Sequence, residues 1–193
     1  VPLNESWGVP QIYTNARQQA LGRMLYHMTK AADGTRLCSS NDGWEQVDTD
    51  ICALHDYAAA RDVMARHFAD REEIETHACD RHPCYAKGQA HTGKEALMVT
   101  EYGGIAFTNI GLQGSMGGMQ TWGYHGKVTD EEAFFERFQG VTDAIRNIPF
   151  CQGYCYTQLT DVMQEINGLL TPDRKPKMDV ERFAAINRNP EGR

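Results

Sequence analysis

The sequence predicts an α/β fold in which parallel strands are covered by helices, and three observations carry that prediction. Short apolar runs alternate with amphipathic stretches of helical period, the pattern of strand–crossover–strand units. Turn-forming strings such as Ala32-Asp33-Gly34 and Asn41-Asp42-Gly43 punctuate them. Polar residues then fall directly after apolar runs, at Asn4-Glu5, Ser39-Ser40-Asn41-Asp42, His55-Asp56-Tyr57 and Glu101-Tyr102. Parallel-sheet enzymes keep their sites at the C-terminal ends of successive strands.

Each element has its own warrant. Residues 15–30 carry Leu21, Met24, Leu25 and Met28 at three-and-four spacing, one apolar helical face. "TRLCSS" (35–40) and "DICAL" (50–54) read as short buried strands. A longer helix is expected from residue 58 to about 79, with Val63, Met64 and Phe68 inward and a densely charged outer face. "ALMVT" (96–100) is a third apolar strand. Thr129-Asp130-Glu131-Glu132 forms a capping box that opens a helix with Phe134, Phe135, Phe138, Val141 and Ile145 on one side. "GYCYTQL" (153–159) is a fourth strand and 180–187 a last short helix. The Gly-dense stretch 103–118 is long enough to be functional, and is expected to form a mobile rim over a site.

With 193 residues and a formal charge of −7, the chain suits one soluble domain. No apolar run spans a bilayer and no basic block suggests nucleic acid. The six cysteines (38, 52, 79, 84, 151, 155) accompany ample apolar residues for a core, so disulfide staples are unnecessary and a reducing, cytoplasmic compartment is expected. The first residue is Val, without a secretion signal or an initiator Met, as in a fragment or a processed chain.

Glu5 and Glu101 are the Glu residues that directly follow an apolar strand-like run. Around a barrel mouth they can face each other, and two carboxyls flanking one bond are what glycoside cleavage needs: one protonates the leaving oxygen, the other attacks or activates water. The plainer reading is that each caps a helix or pairs with an Arg. His77, Cys79, His82 and Cys84, in "HACDRHPC", have a spacing compatible with zinc. They close a charged helix away from the strand ends, and a coincidental helix end is preferred.

"NESWG" at the start, "LMVTEYGG" at 97–104 and "GYCYTQLTDVMQEINGLLTPDRKPK" at 153–177 resemble segments of glycoside hydrolase family 2, the β-galactosidase and β-glucuronidase family. The resemblance implies a (β/α)8 TIM barrel present only in its C-terminal portion: the tail of strand four, then strands five to eight. Residues 1–193 would be the C-terminal half of the catalytic domain, lacking its first half and the preceding β-sandwich domains. It further implies a retaining mechanism with Glu5 as acid/base and Glu101 as nucleophile, their carboxyls about 5–5.5 Å apart. Asn4 would bind the sugar 2-hydroxyl, and Tyr57 would orient the nucleophile, though His55 or Asp56 can hold that place instead. Asn41 is counted with the substrate-binding residues. Trp44 and Trp122 are candidate sugar platforms or half-buried core residues, and Trp7 is expected to pack beside Glu5 and keep it protonated.

The family's glucuronidases read the sugar carboxylate with an Asn-x-Lys pair. Here the matching stretch is Glu165-Ile166-Asn167-Gly168, with no Lys and a carboxylate added, so a neutral sugar such as a β-galactoside is expected. No cofactor and no metal are implied. Partners would be the β-glycoside and, for a half barrel with open edges, a second copy or the missing half. The alternative is a catalytically silent fragment or a carbohydrate-binding piece.

Overall fold

Residues 3 and 4 are tied into a parallel strand pair, which is how a carboxylate so near the first residue acquires a fixed position. In the computed structural model the elements run, in chain order, β1 (Leu3–Asn4), α1 (Ala16–Ala32), β2 (Asn41–Asp42), β3 (Ile51–Asp56), α2 (Arg61–His67), α3 (Arg71–Thr76), β4 (Ala96–Gly103), β5 (Ala106–Phe107), β6 (Lys127–Val128), α4 (Glu131–Arg146), β7 (Gly153–Thr157) and α5 (Val180–Arg188). The structure describes residues 1–76, 82–108 and 120–188. It is a mixed α/β architecture with small sheets: β1 with β2, the three strands β3-β4-β7 in that order, and β5 with β6. The two-stranded pairs are parallel. Among the described residues no helix is long and apolar enough to cross a membrane.

Two compact units are distinguished: Val1–Asp56, His67–Glu101 and Phe150–Cys155 form the first, and Tyr57–Arg66, Tyr102–Pro149 and Tyr156–Arg193 the second. In the first, Asn15 caps α1 by accepting from the Arg17 and Gln18 amides. The helix then packs through Gly22, where an added Cβ would lie 3.0 Å from Val47 and 3.3 Å from Ile12. Those residues form a small cluster with Val9 and Ala86. The expected apolar face is therefore not the packing face: Leu21, Met24 and Met28 are 40%, 52% and 63% exposed. Periodicity located the helix, but a small residue that admits close approach decided which side is buried.

The strand expected at 35–40 does not form. Asp33 captures the Thr35 amide and hydroxyl, the Cys38 amide donates to the Asp50 carboxylate, and the Ser40 amide donates to the Thr49 hydroxyl. Side chains satisfy the backbone there, and pairing begins only at Asn41, opposite Leu3. The single helix expected over 58–79 is two: Asp70 accepts the Glu72 amide and restarts the chain as α3. Met64, Phe68 and Ile74 are all buried.

In the second unit the aromatic face of α4 is buried as its spacing predicts: Phe134, Phe135, Phe138, Val141 and Ile145. With Ile105, Phe107, Met178 and Phe183 the three phenylalanines make one cluster. The helix is capped one residue later than expected, by Asp130, whose carboxylate accepts the Ala133 amide. The front of the Gly-dense stretch is core and not rim, since Ile105, Ala106 and Phe107 are buried; residues 109–119 lie outside the described residues.

Phe138→Ala is expected to lower unfolding free energy by about 3–5 kcal/mol, and Met24→Gln on the exposed face to change it by less than about 0.5 kcal/mol. Urea denaturation of both variants checks this, and a large loss for Met24→Gln would show that the exposed stripe is covered.

Candidate active site

The β1–β2 pairing ends with Asn4 opposite Asp42, and the Glu5 amide donates to the Asp42 carbonyl at 2.9 Å. The backbone then turns through two left-handed residues, Glu5 at φ 49° and Ser6 at φ 58°, a conformation costly for any side chain with a Cβ. A buried network fixes it. The Ser6 amide donates to Asn41 Oδ1 (3.1 Å) and the Ser6 hydroxyl to Glu45 Oε2 (2.5 Å). Asn41 Nδ2 donates to Ser6 Oγ (3.0 Å) and the Trp44 carbonyl (2.7 Å). Both amide protons of Asn41 are thus spent on the turn, giving this residue a positioning place.

The turn aims Glu5 at His55, the fifth residue of β3. His55 is fully buried, with Nδ1 2.9 Å from Glu5 Oε1 and 3.5 Å from Glu101 Oε2, and Nε2 3.5 Å from Asp42 Oδ1. One oxygen of Glu5, one of Glu101 and a ring nitrogen of His55 all lie within 4.8 Å of one another. Two features hold the ring. Gly43, at φ +101°, presses on it so closely that a Cβ would lie 2.8 Å from Nδ1. Trp44 stands edge-on at 5.6 Å. Thr100, beside Glu101 on β4, donates to Asp42 Oδ1 at 2.5 Å and anchors the carboxylate behind the histidine.

The charges follow from this packing. Burial pushes the His55 pKa down, but Asp42, Glu5 and Glu101 outweigh it and raise the imidazole to about 9. Glu5 is held below its ordinary value by the His55 hydrogen bond, against the opposing pull of burial. Burial raises Asp42, and the donors His55 and Thr100 more than offset it, leaving it lowered. Trp7 does not shield Glu5 as expected. It is 75% exposed, and its hydrogen bond to Glu5 lowers the carboxyl further, because a donor favours the charged form. The proton of this site therefore rests on His55.

The structure brings Glu5, Glu101 and His55 together, with Asp42 behind. Asn4 is exposed at the end of β1. Trp44 is half-buried with one face stacked on His82, at 4.3 Å and 8°. Asp56 is buried and pairs with His67 at 2.7 Å, and His55 lies beside Glu101. Tyr57 and Trp122 belong to the second unit. There Tyr57 stacks on Tyr124 at 3.6 Å, over Gly104, and Trp122 meets Tyr124 edge-on at 5.9 Å while 46% exposed. Sequence reading singled out neither Asp42 nor Tyr124, and named His55 and Asp56 as alternatives to Tyr57. Of the zinc-like cluster, His77 and Cys79 lie outside the described residues. His82 faces Trp44 and Glu45, and the Cys84 thiol donates to the Ile74 carbonyl.

No family model matches the sequence, and no curated protein does. Solved structures do. The fold is similar to Bifidobacterium dentium β-glucuronidase complexed with coumarin-3-O-glucuronide (TM-score 0.55, 18% identity, 89% of this chain and 27% of that one). It is similar also to the β-D-glucuronidase of Dictyoglomus thermophilum (0.57, 16%, 93% and 30%) and to Faecalibacterium prausnitzii β-glucuronidase (0.53, 15%, 90% and 29%). At these identities the likeness is one of fold, and the chain spans less than a third of each of those proteins' length.

An NMR titration is expected to place the His55 midpoint near 9. The folded value lies above the ordinary 6.5, so this group's stabilisation is fully present below about pH 6.5 and is lost as pH rises to about 9. Denaturation at the two ends of that window should show the loss, and His55→Gln should remove it. Gly43→Ala, which forces a Cβ into the ring at positive φ, should cost about 1–3 kcal/mol and move the midpoint back toward 6.5. An unmoved midpoint in Gly43→Ala would mean that the glycine does not seat the ring.

Proposed function

We propose that this chain carries the carboxylate pair of a retaining β-glycosidase, on the C-terminal portion of a (β/α)8 barrel of the glycoside hydrolase family 2 kind. The observation that carries the reading is the approach of Glu5 and Glu101 to the same imidazole, with an oxygen of each inside 4.8 Å of the other. That separation suits direct attack, whereas inverting pairs stand about 6.5–9.5 Å apart to admit a water. The likeness of fold to three β-glucuronidases and the strings around both glutamates support it.

In this mechanism Glu101 attacks the anomeric carbon while Glu5 gives a proton to the departing oxygen, and in the second step Glu5 takes a proton from the water that releases the sugar. His55 supplies what Glu5 lacks in its resting state. In the protonated imidazole the Nδ1 proton faces Glu5 Oε1 across 2.9 Å. A sugar that excludes water from Glu5 raises that carboxyl's proton affinity and draws the proton across the bond. When Glu101 becomes an ester its negative charge is gone, and Glu5 returns to the ionised form that a base requires. Asn4, exposed at the strand end, is free to meet the 2-hydroxyl.

The sugar is proposed to be neutral. The Asn167 amide is tied up, donating to Glu165 at 2.9 Å and accepting from Gln158 at 2.8 Å. Lys177, which donates to the neighbouring Ile166 carbonyl, is buried and paired with Asp161. The stretch that matches the glucuronidase Asn-x-Lys pair thus carries the Glu165 carboxylate, and the lysine beside it is already paired, which is why a neutral sugar is proposed.

The test is covalent trapping with an aryl 2-deoxy-2-fluoro-β-glycoside, using the longest polypeptide in which this chain occurs. Peptide mass spectrometry should find the sugar on Glu101; a label on another residue overturns the assignment. Glu101→Gln should abolish turnover, and Glu5→Gln should slow substrates with poor leaving groups by about 10²–10⁴-fold while sparing activated aryl glycosides. Aryl β-galactoside should be cleaved in preference to aryl β-glucuronide, and the reverse order would refute the neutral-sugar reading.

A further inference from the structure

The Glu5–His55–Glu101 triangle has the donor set and spacing of a metal site, and three observations beyond the acidic pair point to one. The imidazole is fully buried, its Nδ1 directed between the two carboxylates at 2.9 and 3.5 Å. Its other nitrogen is backed by Asp42 at 3.5 Å, itself anchored by Thr100. A carboxylate behind the far nitrogen is the arrangement that orients metal-binding histidines and raises their basicity. Gly43 and Trp44 hold the ring in place, so the ligand direction is set in advance.

The spacing selects the ion. Zinc bonds of about 2.0–2.1 Å put neighbouring ligands of a tetrahedron about 3.4 Å apart, inside the range of 2.9 to 4.8 Å found here. One imidazole nitrogen and two carboxylates, with a fourth position left for water, form a zinc-type set. Magnesium and calcium favour oxygen ligands alone.

We propose that Glu5, His55 and Glu101 bind one divalent cation of the zinc type, which takes the place of the proton that His55 shares with Glu5. The ion displaces the Nδ1 proton to solvent, His55 keeps its Nε2 proton toward Asp42, and no redox step is involved. Because both carboxylates become ligands, the bound cation and a glycoside exclude one another. That consequence rests on the glycosidase reading; the binding itself does not.

Calorimetric titration of the chain with Zn²⁺, and visible spectroscopy with Co²⁺, test the site directly. The expected result is one equivalent per chain with proton release, and a four-coordinate Co²⁺ spectrum without a sulfur-to-cobalt charge-transfer band. His55→Gln should abolish binding, and Asp42→Asn, acting only through the histidine, should weaken it by about 10–100-fold. Circular dichroism establishes that each variant is folded. Should His55→Gln unfold, Glu101→Gln with the cobalt spectrum carries the same test. His82→Gln should bind as the parent does. Full-strength binding in folded His55→Gln, loss of binding in His82→Gln, or a sulfur–cobalt band each overturns the proposal by moving the ion elsewhere. A chain that takes a fluoro-sugar on Glu101 yet binds no Zn²⁺ also overturns it, leaving the glycosidase reading intact.

Discussion

A histidine with no solvent exposure, set among three carboxyl groups, is the constraint on which the rest of this site depends. Burying an imidazolium without partners is prohibitive, and Asp42, Glu5 and Glu101 supply the compensation. The dependence runs both ways. Removing the histidine would leave carboxylates crowded together with no cation between them, and deleting one partner of a buried pair is more costly than replacing the pair. The backbone is arranged to serve this contact. Glu5 and Ser6 adopt left-handed conformations so that one carboxylate reaches Nδ1, and Gly43 omits a side chain so that the ring has room. Strain of this kind persists only where the surroundings over-determine it, and the Ser6–Asn41–Glu45 network does so here.

The second unit is built on the opposite principle. Its core is a cluster of phenylalanines from α4 and α5 with Ile105, Phe107 and Met178, and rings meet edge-to-face, as in Phe134–Phe183 and Phe138–Phe183. Such a core needs no charge balance and tolerates pH change. Among its described residues, a polar network stands in the loop after β7, where Gln158, Asn167 and Glu165 form a chain of hydrogen bonds and Asp161 fixes both the Gly168 amide and Lys177. A Cβ at Gly168 would collide with the backbone of Thr160 and Asp161, so this loop too is held by the absence of a side chain.

Much of this was legible in the residue order. The aromatic spacing of α4 and the apolar runs of β3, β4 and β7 each follow from a local rule. What escaped has a common cause, competition from partners distant in sequence. Leu21, Met24 and Met28 mark a helix correctly, but the buried side was decided by what Val47 and Ile12 could approach, namely Gly22. Residues 35–40 have strand-like composition, yet Asp50 and Thr49 supply bonds that a strand partner would have supplied. Asp42 reads locally as a turn former, and only the pairing of β2 with β1 and the contact with β3 make it the counter-charge of a histidine. Glu5 and Glu101 stood out because each follows an apolar run. His55 did so less, because a lone histidine on a buried strand gives no sign of which charges surround it.

The identity of the species on Nδ1 therefore governs the site's chemistry. With a proton there, Glu5 has a donor one hydrogen bond away, which is what the proposed acid and base steps call for. With a cation there, both glutamates are held as ligands and neither can transfer a proton or attack carbon. Both proposed states draw on the same three side chains, whose ligand atoms already lie within 4.8 Å of one another. Both readings require an imidazole that is basic, fixed and shielded from water. Asp42 provides the basicity, Gly43 and Trp44 the fixity, and burial in the first unit the shielding. A neutral amide in place of His55 could satisfy one carboxylate through a hydrogen bond, but it could neither hold a proton for Glu5 nor offset the charge on Asp42.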